Sequence, residues 1–331
     1  MNNKICVIGG SGFIGTNLCK RFELSKIEYI IVDKRESQIF PGKTRIADVR
    51  DIEALDKEVY GDVIVNLAAE HRDDVSPRSL YWDVNVGGAK NVCQIAEKKG
   101  INRIIFTSSV AVYGFTINET GENGELNPFN DYGKTKLEAE KVYIEWQKKE
   151  PEKRTLVIIR PTVVFGEGNR GNVYNLLRQI ADGKFIMVGD GKNIKSMAYV
   201  GNVSAFIEYT FSFDTGIHIY NYIDKPDFDM NTLVKTVYHA LGKDDKIKIR
   251  VPYFLGYTAG KLFDLASSIT GKKYPISSIR VKKFCSNTFF STKAFETGFK
   301  PPFTLYEGLN RTIQYEFLNK DNKEKVVFYT E

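Results

Sequence analysis

The chain has 331 residues, of which 42% are hydrophobic, and a formal net charge of +6. This size fits one large α/β unit or two unequal domains. The charge is too mild and scattered to indicate nucleic-acid binding, although it is compatible with an anionic substrate or an anionic membrane surface. No window approaches the ~18 consecutive apolar residues of a membrane-spanning helix. The opening "MNNKICVIGG" predicts an immediate strand, so no secretory signal is expected.

The three histidines and four cysteines follow no metal-ligand spacing. HExxH and CxxC are both missing from the sequence, so we expect no catalytic metal. Cys6, Cys19 and Cys93 lie in apolar helix or strand patterns. They are therefore predicted to be buried thiols of a protein in a reducing cytoplasm.

Strand and helix patterns alternate through the first half of the chain. The predicted strands are "KICVIG", "EYIIVD", "TRIADV", "DVIVNLA", "RIIFTSS" and "TLVIIRP". The predicted helices are Thr16–Leu24, Val84–Lys98 and Tyr132–Lys149. This alternation predicts an α/β fold with a doubly wound parallel sheet. After Pro161 the pattern loosens into Gly- and Asn-rich loops, which indicates a smaller C-terminal portion.

The stretch "CVIGGSGFIGTNL" joins the first strand to the first helix. Gly9, Gly12 and Gly15 allow a tight turn, close approach of a pyrophosphate, and a helix N-terminus that faces the anion. Asp33 ends the second predicted strand, where an acid binds the adenosine ribose and repels a 2′-phosphate. These features predict a Rossmann-type fold that binds NAD, although Lys34 and Arg35 leave NADP as an alternative.

A Tyr-x-x-x-Lys pair occurs twice, at Tyr132–Lys136 and at Tyr257–Lys261. The spacing places both side chains on one helix face. We favour the first pair because its helix is expected to pack beside the strand that ends in Ser108–Ser109, whereas Tyr257 has no cofactor motif nearby. A free tyrosine titrates near ~10, and we expect the neighbouring ammonium and a positive nicotinamide to favour the phenolate. A serine at the strand end would bind the substrate oxygen.

The segments "GGSGFIG", "NLAAEH", "NVGGAKNV", "SSVAVYG", "YGKTK" and "RPTVVFGEG" together resemble the extended short-chain dehydrogenase/reductase family, in its NAD-dependent sugar epimerase/dehydratase branch. The resemblance covers nearly the whole chain. It implies that Ser109, Tyr132 and Lys136 are catalytic. The cofactor positions that it implies are Gly9, Gly12, Phe13, Ile14, Gly15, Asp33, Lys34, Asp48, Val49, Leu67, Ala68, Ala69, Tyr132, Lys136 and Pro161.

This resemblance also divides the chain into two portions. Residues 1–165 would form the NAD-binding Rossmann domain, with a returning segment at about 196–224. Residues 166–195 and 225–331 would form the substrate-binding α/β portion. Members of the family usually pair helices near 85–99 and 132–149 with a second copy, so we expect a homodimer.

The residues after Ser109 distinguish between reactions. The dehydratases of this branch have an Asp-Glu pair there, whereas this chain has Val110 and Ala111, which cannot transfer protons. The resemblance therefore implies a 4-epimerase, which needs one base and bound NAD. A net NAD(P)-dependent keto-sugar or sterol-type reductase is an alternative, as is an inactive NAD-sensing protein, although the latter would be expected to lack Tyr132 or Lys136.

The substrate side departs from the nucleotide-sugar pattern. Val163, Lys195 and Asn202 stand where that branch commonly has Asn, Arg and an acid. Arg280 matches the diphosphate-binding arginine of the family, so Arg280 and Lys195 are the predicted substrate residues, together with Ser109 and Tyr132.

The segment 251–274 is rich in apolar and aromatic residues and ends in Lys272 and Lys273. It predicts either a buried amphipathic helix or a helix at a membrane interface. "NLAAEHRDDVSP" and "ITGKKYPISSIRVKKFC" resemble bacterial epimerases of polyprenyl-diphosphate-linked N-acetylglucosamine. This implies conversion of GlcNAc to GalNAc on undecaprenyl diphosphate for surface polysaccharides, peripherally on the inner face of the cell membrane. A soluble UDP-glucose or UDP-GlcNAc 4-epimerase is the alternative.

Overall fold

The computed structural model describes residues 4–72, 75–116, 118–244, 246–247, 249–272, 274, 277–319 and 326–329. The strands are β1 (Ile5–Ile8), β2 (Tyr29–Asp33), β3 (Thr44–Ile46), β4 (Val63–Asn66), β5 (Arg103–Thr107), β6 (Thr155–Pro161), β7 (Val163–Phe165), β8 (Met187–Val188), β9 (Ile194–Lys195), β10 (Met197–Tyr199), β11 (Gly216–Tyr222), β12 (Phe228–Asp229) and β13 (Arg250–Val251). The helices are α1 (Phe13–Ser25), α2 (Ile52–Glu58), α3 (Ser79–Tyr81), α4 (Gly88–Lys99), α5 (Asp131–Lys148), α6 (Asn172–Ala181), α7 (Val200–Tyr209), α8 (Met230–Ala240), α9 (Tyr253–Thr270), α10 (Ser278–Cys285) and α11 (Leu305–Ile313).

Seven parallel strands form the central sheet in the order β11-β6-β5-β4-β1-β2-β3. The predicted α/β fold with a doubly wound parallel sheet is therefore confirmed. The chain leaves β1 toward β2 and returns on the other side of β1 as β4, so the strand order reverses between β1 and β4. Ligands of open α/β sheets bind beyond the carboxyl ends of the strands at such a reversal.

Helices cover both faces of this sheet. On one face, α2, α4 and α5 bury Leu55, Val92 and Trp146 against the strands. On the other, α1 and α7 bury Phe22 and Phe206. Because the central strands are buried on both sides, they form continuous apolar runs rather than an alternating pattern.

The observed boundaries differ from the predicted ones at a few places. Helix α1 begins at Phe13, three residues before the predicted start, because Gly12 already takes the N-cap position. The predicted third strand is shortened to Thr44–Ile46. The predicted helix at Val84–Lys98 begins inside a π-helical turn at Trp82–Gly87 and is α-helical only from Gly88, as α4. Strand β11, from the predicted returning segment, pairs with β6 at the sheet edge. The division into two portions stays a prediction.

The remaining elements pack beside the carboxyl ends of the sheet. Helices α6, α8 and α11 share an apolar cluster that includes Leu177, Val234 and Leu309. Helices α9 and α10 contact each other through the Ser278 amide and hydroxyl, which donate to Asp264 Oδ2 over 3.1 and 2.5 Å. Lys273, which the sequence placed at the end of the apolar segment, lies outside the described residues.

Candidate active site

The glycine-rich turn forms a cradle at the start of α1. A Cβ atom at Gly9 would lie 2.6 Å from the Ala68 nitrogen, and one at Gly15 would lie 2.5 Å from the Gly10 Cα. Gly9 also has a φ of +78°, which favours glycine. No side chain caps the N-terminus of α1 at Gly12, so the amides of the first turn could bind an anion.

Two side chains hold the loops around this cradle. The Asp33 carboxylate accepts the Ser11 amide over 3.1 Å and the Arg35 amide over 3.2 Å. Burial raises the pKa of Asp33 above its ordinary value. The Asn66 side chain, at the end of β4, accepts the Ala68 amide over 3.0 Å and donates to the Tyr143 hydroxyl over 2.6 Å. Asp33 therefore links the β1 and β2 loops, and Asn66 orders the β4 loop and links it to α5.

A cavity of about 1060 Å³ extends from this cradle across the carboxyl ends of the strands. It lies at the upper end of the volumes usual for ligand sites. The predicted catalytic and cofactor residues all line it: Gly9, Gly12, Phe13, Ile14, Gly15, Asp33, Lys34, Asp48, Val49, Leu67, Ala68, Ala69, Ser109, Tyr132, Lys136 and Pro161. Their roles remain predictions, but the fold brings them to one cavity.

Strand β5 and helix α5 bring Ser109, Tyr132 and Lys136 together. The Ser109 side chain lies near the Tyr132 hydroxyl, and the Ser109 Oγ accepts the Ala111 amide over 3.1 Å. The Lys136 Nζ donates to the Thr107 carbonyl over 2.5 Å and lies 4.3 Å from the centroid of the Phe106 ring. Asn130 caps α5 through the Gly133 amide, which fixes where the helix begins beside the serine.

Burial controls the titration of both α5 residues. It raises the pKa of Tyr132 above 10.0, and the nearby Ser109 side chain opposes this shift. It lowers the pKa of Lys136 to about 7, against the influence of the Glu140 carboxylate. This upward shift in the pKa of Tyr132 is opposite to the sequence expectation, because desolvation outweighs the opposing effect of Ser109.

A buried ion pair supports this part of α5. Arg160 on β6 donates to both Glu140 carboxylate oxygens, over 2.9 and 2.6 Å. Its Nη1 also donates to the Tyr113 hydroxyl over 2.7 Å, and that hydroxyl donates to Asn221 over 2.8 Å. This bidentate pair ties α5 to the sheet one turn beyond Lys136.

The model of the NAD dependent epimerase/dehydratase family matches residues 5–221. The chain belongs to this family. The predicted family resemblance is therefore confirmed.

Two curated relatives match along nearly their whole length. One is N-acetyl-alpha-D-glucosaminyl-diphospho-ditrans,octacis-undecaprenol 4-epimerase of Escherichia coli O157:H7, which is 53% identical over 100% of both chains. Another is UDP-glucose 4-epimerase of Vibrio cholerae, which is 30% identical over 98% of both. Among solved structures, UDP-glucose 4-epimerase of Thermus thermophilus in complex with NAD has a TM-score of 0.72 at 19% identity, over 94% of this chain and 98% of that one. This likeness confirms the Rossmann-type fold.

The residues present fit the family cofactor, NAD. The cradle has no room for a Cβ at Gly9 or Gly15, and Asp33 lies where an adenosine ribose is held in Rossmann folds. Among the residues that the structure describes, the hydroxyls of Thr107 and Ser108 are buried without a hydrogen-bond partner, and both line the cavity. Unsatisfied buried hydroxyls beside Lys136 are consistent with a polar ligand there.

The predicted substrate residues Lys195 and Arg280 lie outside the cavity wall that contains the catalytic residues. Neither Lys195 nor Arg280 is among the described residues that line the cavity. The Lys195 Nζ donates to the backbone carbonyls of Lys283 and Ser286, and burial lowers its pKa to about 8. Arg280 is exposed on α10. Their predicted contacts with substrate stay predictions that this arrangement does not support.

Val163 and Asn202, which also depart from the nucleotide-sugar pattern, lie in different surroundings. Val163 lines the cavity. Asn202 is fully buried and bonds to Asp224 over 2.9 Å and to the backbone of Phe303 over 2.7 and 3.0 Å. Asn202 therefore joins α7 to the segment before α11. Because Asn202 is not among the described residues that line the cavity, having Asn here instead of an acid takes no group away from the cavity wall.

The sequence interpretation missed one wall of the cavity. The lining residues that it did not select as site residues include His71, Thr107, Phe115, Thr116, Phe129, Thr162, Asn169, Asn172, Ile279, Lys282, Lys283, Ser286, Asn287 and Thr288. His71 ends the quoted motif "NLAAEH", which could have indicated it. Phe115, Phe129 and the α10 residues follow no cofactor motif, since they come from loops and a helix far along the chain.

Proposed function

We propose that this protein is an NAD-dependent 4-epimerase that converts N-acetylglucosamine to N-acetylgalactosamine on undecaprenyl diphosphate, for surface polysaccharides such as O-antigen. The full-length 53% identity to the Escherichia coli enzyme of that name carries the proposal. The cavity supports it, because Ser109, Tyr132 and Lys136 occupy it together with the glycine cradle.

The protein's own residues divide the work of epimerisation. Tyr132 removes the proton of the C4 hydroxyl and later returns it. Ser109, which lies near the Tyr132 hydroxyl, binds the same sugar oxygen and stabilises its changing charge. Bound NAD would accept hydride from C4 and give it back to the opposite face. Its positive ring would also lower the pKa of Tyr132, which burial raises in the protein alone.

The lining of the cavity argues against dehydration. Val110 and Ala111 begin the short 3-10 helix after Ser109 and line the cavity. Among the described lining residues, Asp33 and Asp48 are the only acids, and both lie near the glycine cradle. An elimination needs a proton donor beside the sugar, and these carboxylates are at the other end.

An exposed apolar stripe on α9 supports peripheral attachment to the inner face of the cell membrane. Phe254, Leu262, Leu265 and Ile269 are 64%, 69%, 58% and 76% exposed. Their spacing places them on one side of the helix, away from Gly260, which is buried against Ser277 and Ser278. Exposed Lys261 and Lys272 adjoin the stripe and would attract anionic lipid headgroups. Within the described residues, every helix falls short of the length and apolar character that crossing a bilayer requires.

A vesicle experiment tests this attachment. The protein should sediment with anionic vesicles and be released by high salt or detergent. The variant Phe254→Ser/Leu262→Ser/Leu265→Ser should stay in the supernatant with an unchanged melting temperature, because these side chains already face water. Leu24→Ser, at an even more exposed leucine on α1, is the control. Wild-type protein that never sediments would contradict the attachment.

A second candidate is a soluble UDP-hexose or UDP-GlcNAc 4-epimerase. The Vibrio cholerae relative favours it, at 30% identity. Purified protein offered GlcNAc-diphospho-undecaprenol and UDP-GlcNAc side by side decides between them. We expect GalNAc to form much faster on the lipid carrier. Faster turnover of UDP-GlcNAc by a protein that does not bind vesicles would favour the second candidate instead.

The proposed assembly is a homodimer formed through α4 and α5. These helices lie side by side and are linked by an ion pair between Lys149 and Glu97, with N and O 2.8 Å apart. Their outer faces would meet the same helices of a second copy. Light scattering should give twice the chain mass of 37.6 kDa, and a monomeric mass would contradict this arrangement.

A further inference from the structure

One face of α10 forms the missed wall of the cavity. Its residues follow the i, i+3, i+4, i+7 spacing of a single helix face. They are Ile279, Lys282, Lys283 and Ser286. Arg280 lies about a quarter-turn away from this face, which explains why it is not among the described lining residues.

The other face of α10 is anchored to the protein. Val281 is buried, the Phe284 ring lies 6.2 Å from the Phe185 ring, and the Cys285 thiol donates to the Val188 carbonyl over 3.3 Å. The Lys195 ammonium holds the end of the helix through two carbonyls, over 2.9 and 2.6 Å. The lysine face is therefore held toward the cavity, and Lys195 acts as a positioning residue.

An aromatic pair lies at the same opening. The rings of Phe115 and Phe129 stack with centroids 4.2 Å apart, although the two residues are 67% and 47% exposed. The Lys283 Nζ lies 5.8 Å from the centroid of the Phe129 ring. Ile279, also exposed, lines the cavity one turn before the lysines. Cationic and apolar groups thus meet at one place.

Helix α9 lies next to α10 at this opening of the cavity. Asp264 on α9 accepts two hydrogen bonds from Ser278, the residue before Ile279. Helix α9 therefore lies beside the outer end of the lysine face, with its exposed stripe on the side turned away from α10. A ligand with an anionic part followed by an apolar chain would match this order of surfaces, from the cavity to the outside.

We infer that Lys282 and Lys283 bind the diphosphate of the substrate, and that Phe115, Phe129 and Ile279 receive the first isoprene units as the lipid leaves the cavity. The inference rests on the proposed function for its lipid part only. Its diphosphate part applies equally to a nucleotide-linked sugar. Ammonium groups bind phosphate oxygens through charge-assisted hydrogen bonds, and the described cavity lining has no acid near α10.

Steady-state kinetics of the NAD-loaded enzyme test the diphosphate part. Lys282→Ala/Lys283→Ala should raise KM at least about tenfold for every diphosphate-linked GlcNAc, with little change in kcat, because a charge-assisted contact is lost. Lys282→Arg/Lys283→Arg should restore most of the affinity. Lys57→Ala/Lys235→Ala removes the same charge from two exposed helix positions elsewhere and should change nothing. An unchanged KM in the first variant overturns the assignment.

A series of carriers tests the lipid part. GlcNAc diphosphate is offered as its methyl ester and as its undecaprenyl and two-isoprene esters, in neutral detergent. Phe115→Ser/Phe129→Ser should raise KM for both isoprenoid esters and leave the methyl ester unaffected. An equal rise for all three esters, or none, overturns the lipid path. A wild-type enzyme that accepts only UDP-GlcNAc refutes the proposed function and the lipid path together, while the lysine variants still report on the diphosphate through UDP-GlcNAc.

Discussion

Tyr132–Lys136 on α5 and Tyr257–Lys261 on α9 have the same spacing but opposite surroundings. Lys136 is 2% exposed, and its Nζ donates to a backbone carbonyl beside Ser109. Lys261 is exposed, and its Nζ lies 5.7 Å from the centroid of the Tyr257 ring. Only the first pair has burial, a serine and a cavity around it. The chemistry of such a pair therefore depends on the strands it follows, not on the spacing.

The same contrast extends to the two regions that contain these helices. The cradle beside α5 is determined by backbone geometry, since Gly9 and Gly15 leave no room for a side chain. The α9–α10 region is determined by exposed side chains on a helix pair. We therefore expect substitutions near the cradle to change NAD binding and kcat. Substitutions on α9 and α10 should instead change substrate binding and membrane binding.

The largest effect is expected at Tyr132. Tyr132→Phe keeps the ring but removes the hydroxyl that takes the C4 proton, so kcat should fall at least ~10²-fold. The fold and bound NAD should be unchanged, as measured by circular dichroism and by the NAD released from the purified protein.

The α9 pair provides the internal control for this loss. Tyr257→Phe removes a hydroxyl from an identical spacing outside the cavity, so kcat should stay near that of the wild type. Activity retained in Tyr132→Phe would remove Tyr132 from the mechanism. A comparable loss in Tyr257→Phe would break the contrast between the two helices.

The next largest effect is expected in the cradle. A Cβ at Gly9 would contact the backbone of Ala68 at 2.6 Å, so Gly9→Ala should release most of the NAD and lower the melting temperature. Gly42→Ala is the matched control. The φ of Gly42 is +81°, close to the +78° of Gly9, but nothing lies within 4 Å of its Cβ position. Both variants carry the roughly 1–2 kcal/mol penalty of a left-handed conformation. Equal NAD loss in both would show that strain, not the cradle, is responsible.

Much of the fold, and the gathering of the predicted cofactor residues at one cavity, was predictable because both depend on local signals. Apolar runs predicted the buried strands, and Gly9, Gly12, Gly15 and Asp33 follow strands at spacings that backbone geometry requires. The boundaries of α1 were less accurate, since the N-cap glycine belongs both to the turn and to the helix.

The substrate side was less predictable because its contacts are distant along the chain. Lys195 was predicted from its motif position, but its ammonium is used to hold the end of α10. Phe115 and Phe129 belong to a loop and the residues before α5, so no periodic pattern indicated that they stack. Tertiary packing, not local pattern, decides which α10 residues face the cavity.

A smaller effect is expected for cofactor choice. Asp33 lines the cavity and its charge should repel a 2′-phosphate. Asp33→Ser should therefore narrow the preference for NAD over NADP by about tenfold, the scale of one charge interaction. Lys34, which lines the cavity next to it, would then meet the phosphate. Equal affinity of the unmodified protein for the two cofactors would contradict this role of Asp33.

The smallest effect is expected at the end of α9, where Lys272 is exposed. One lysine near an anionic surface contributes about 1 kcal/mol, so Lys272→Ala should weaken binding to anionic vesicles about fivefold at low salt. High salt should remove the difference, because a Debye length of about 3 Å at 1 M screens the exposed charge. Lys57→Ala on α2 is the control, since it removes the same charge from another exposed site. A difference that persisted at high salt would mean that Lys272 acts by packing rather than by charge.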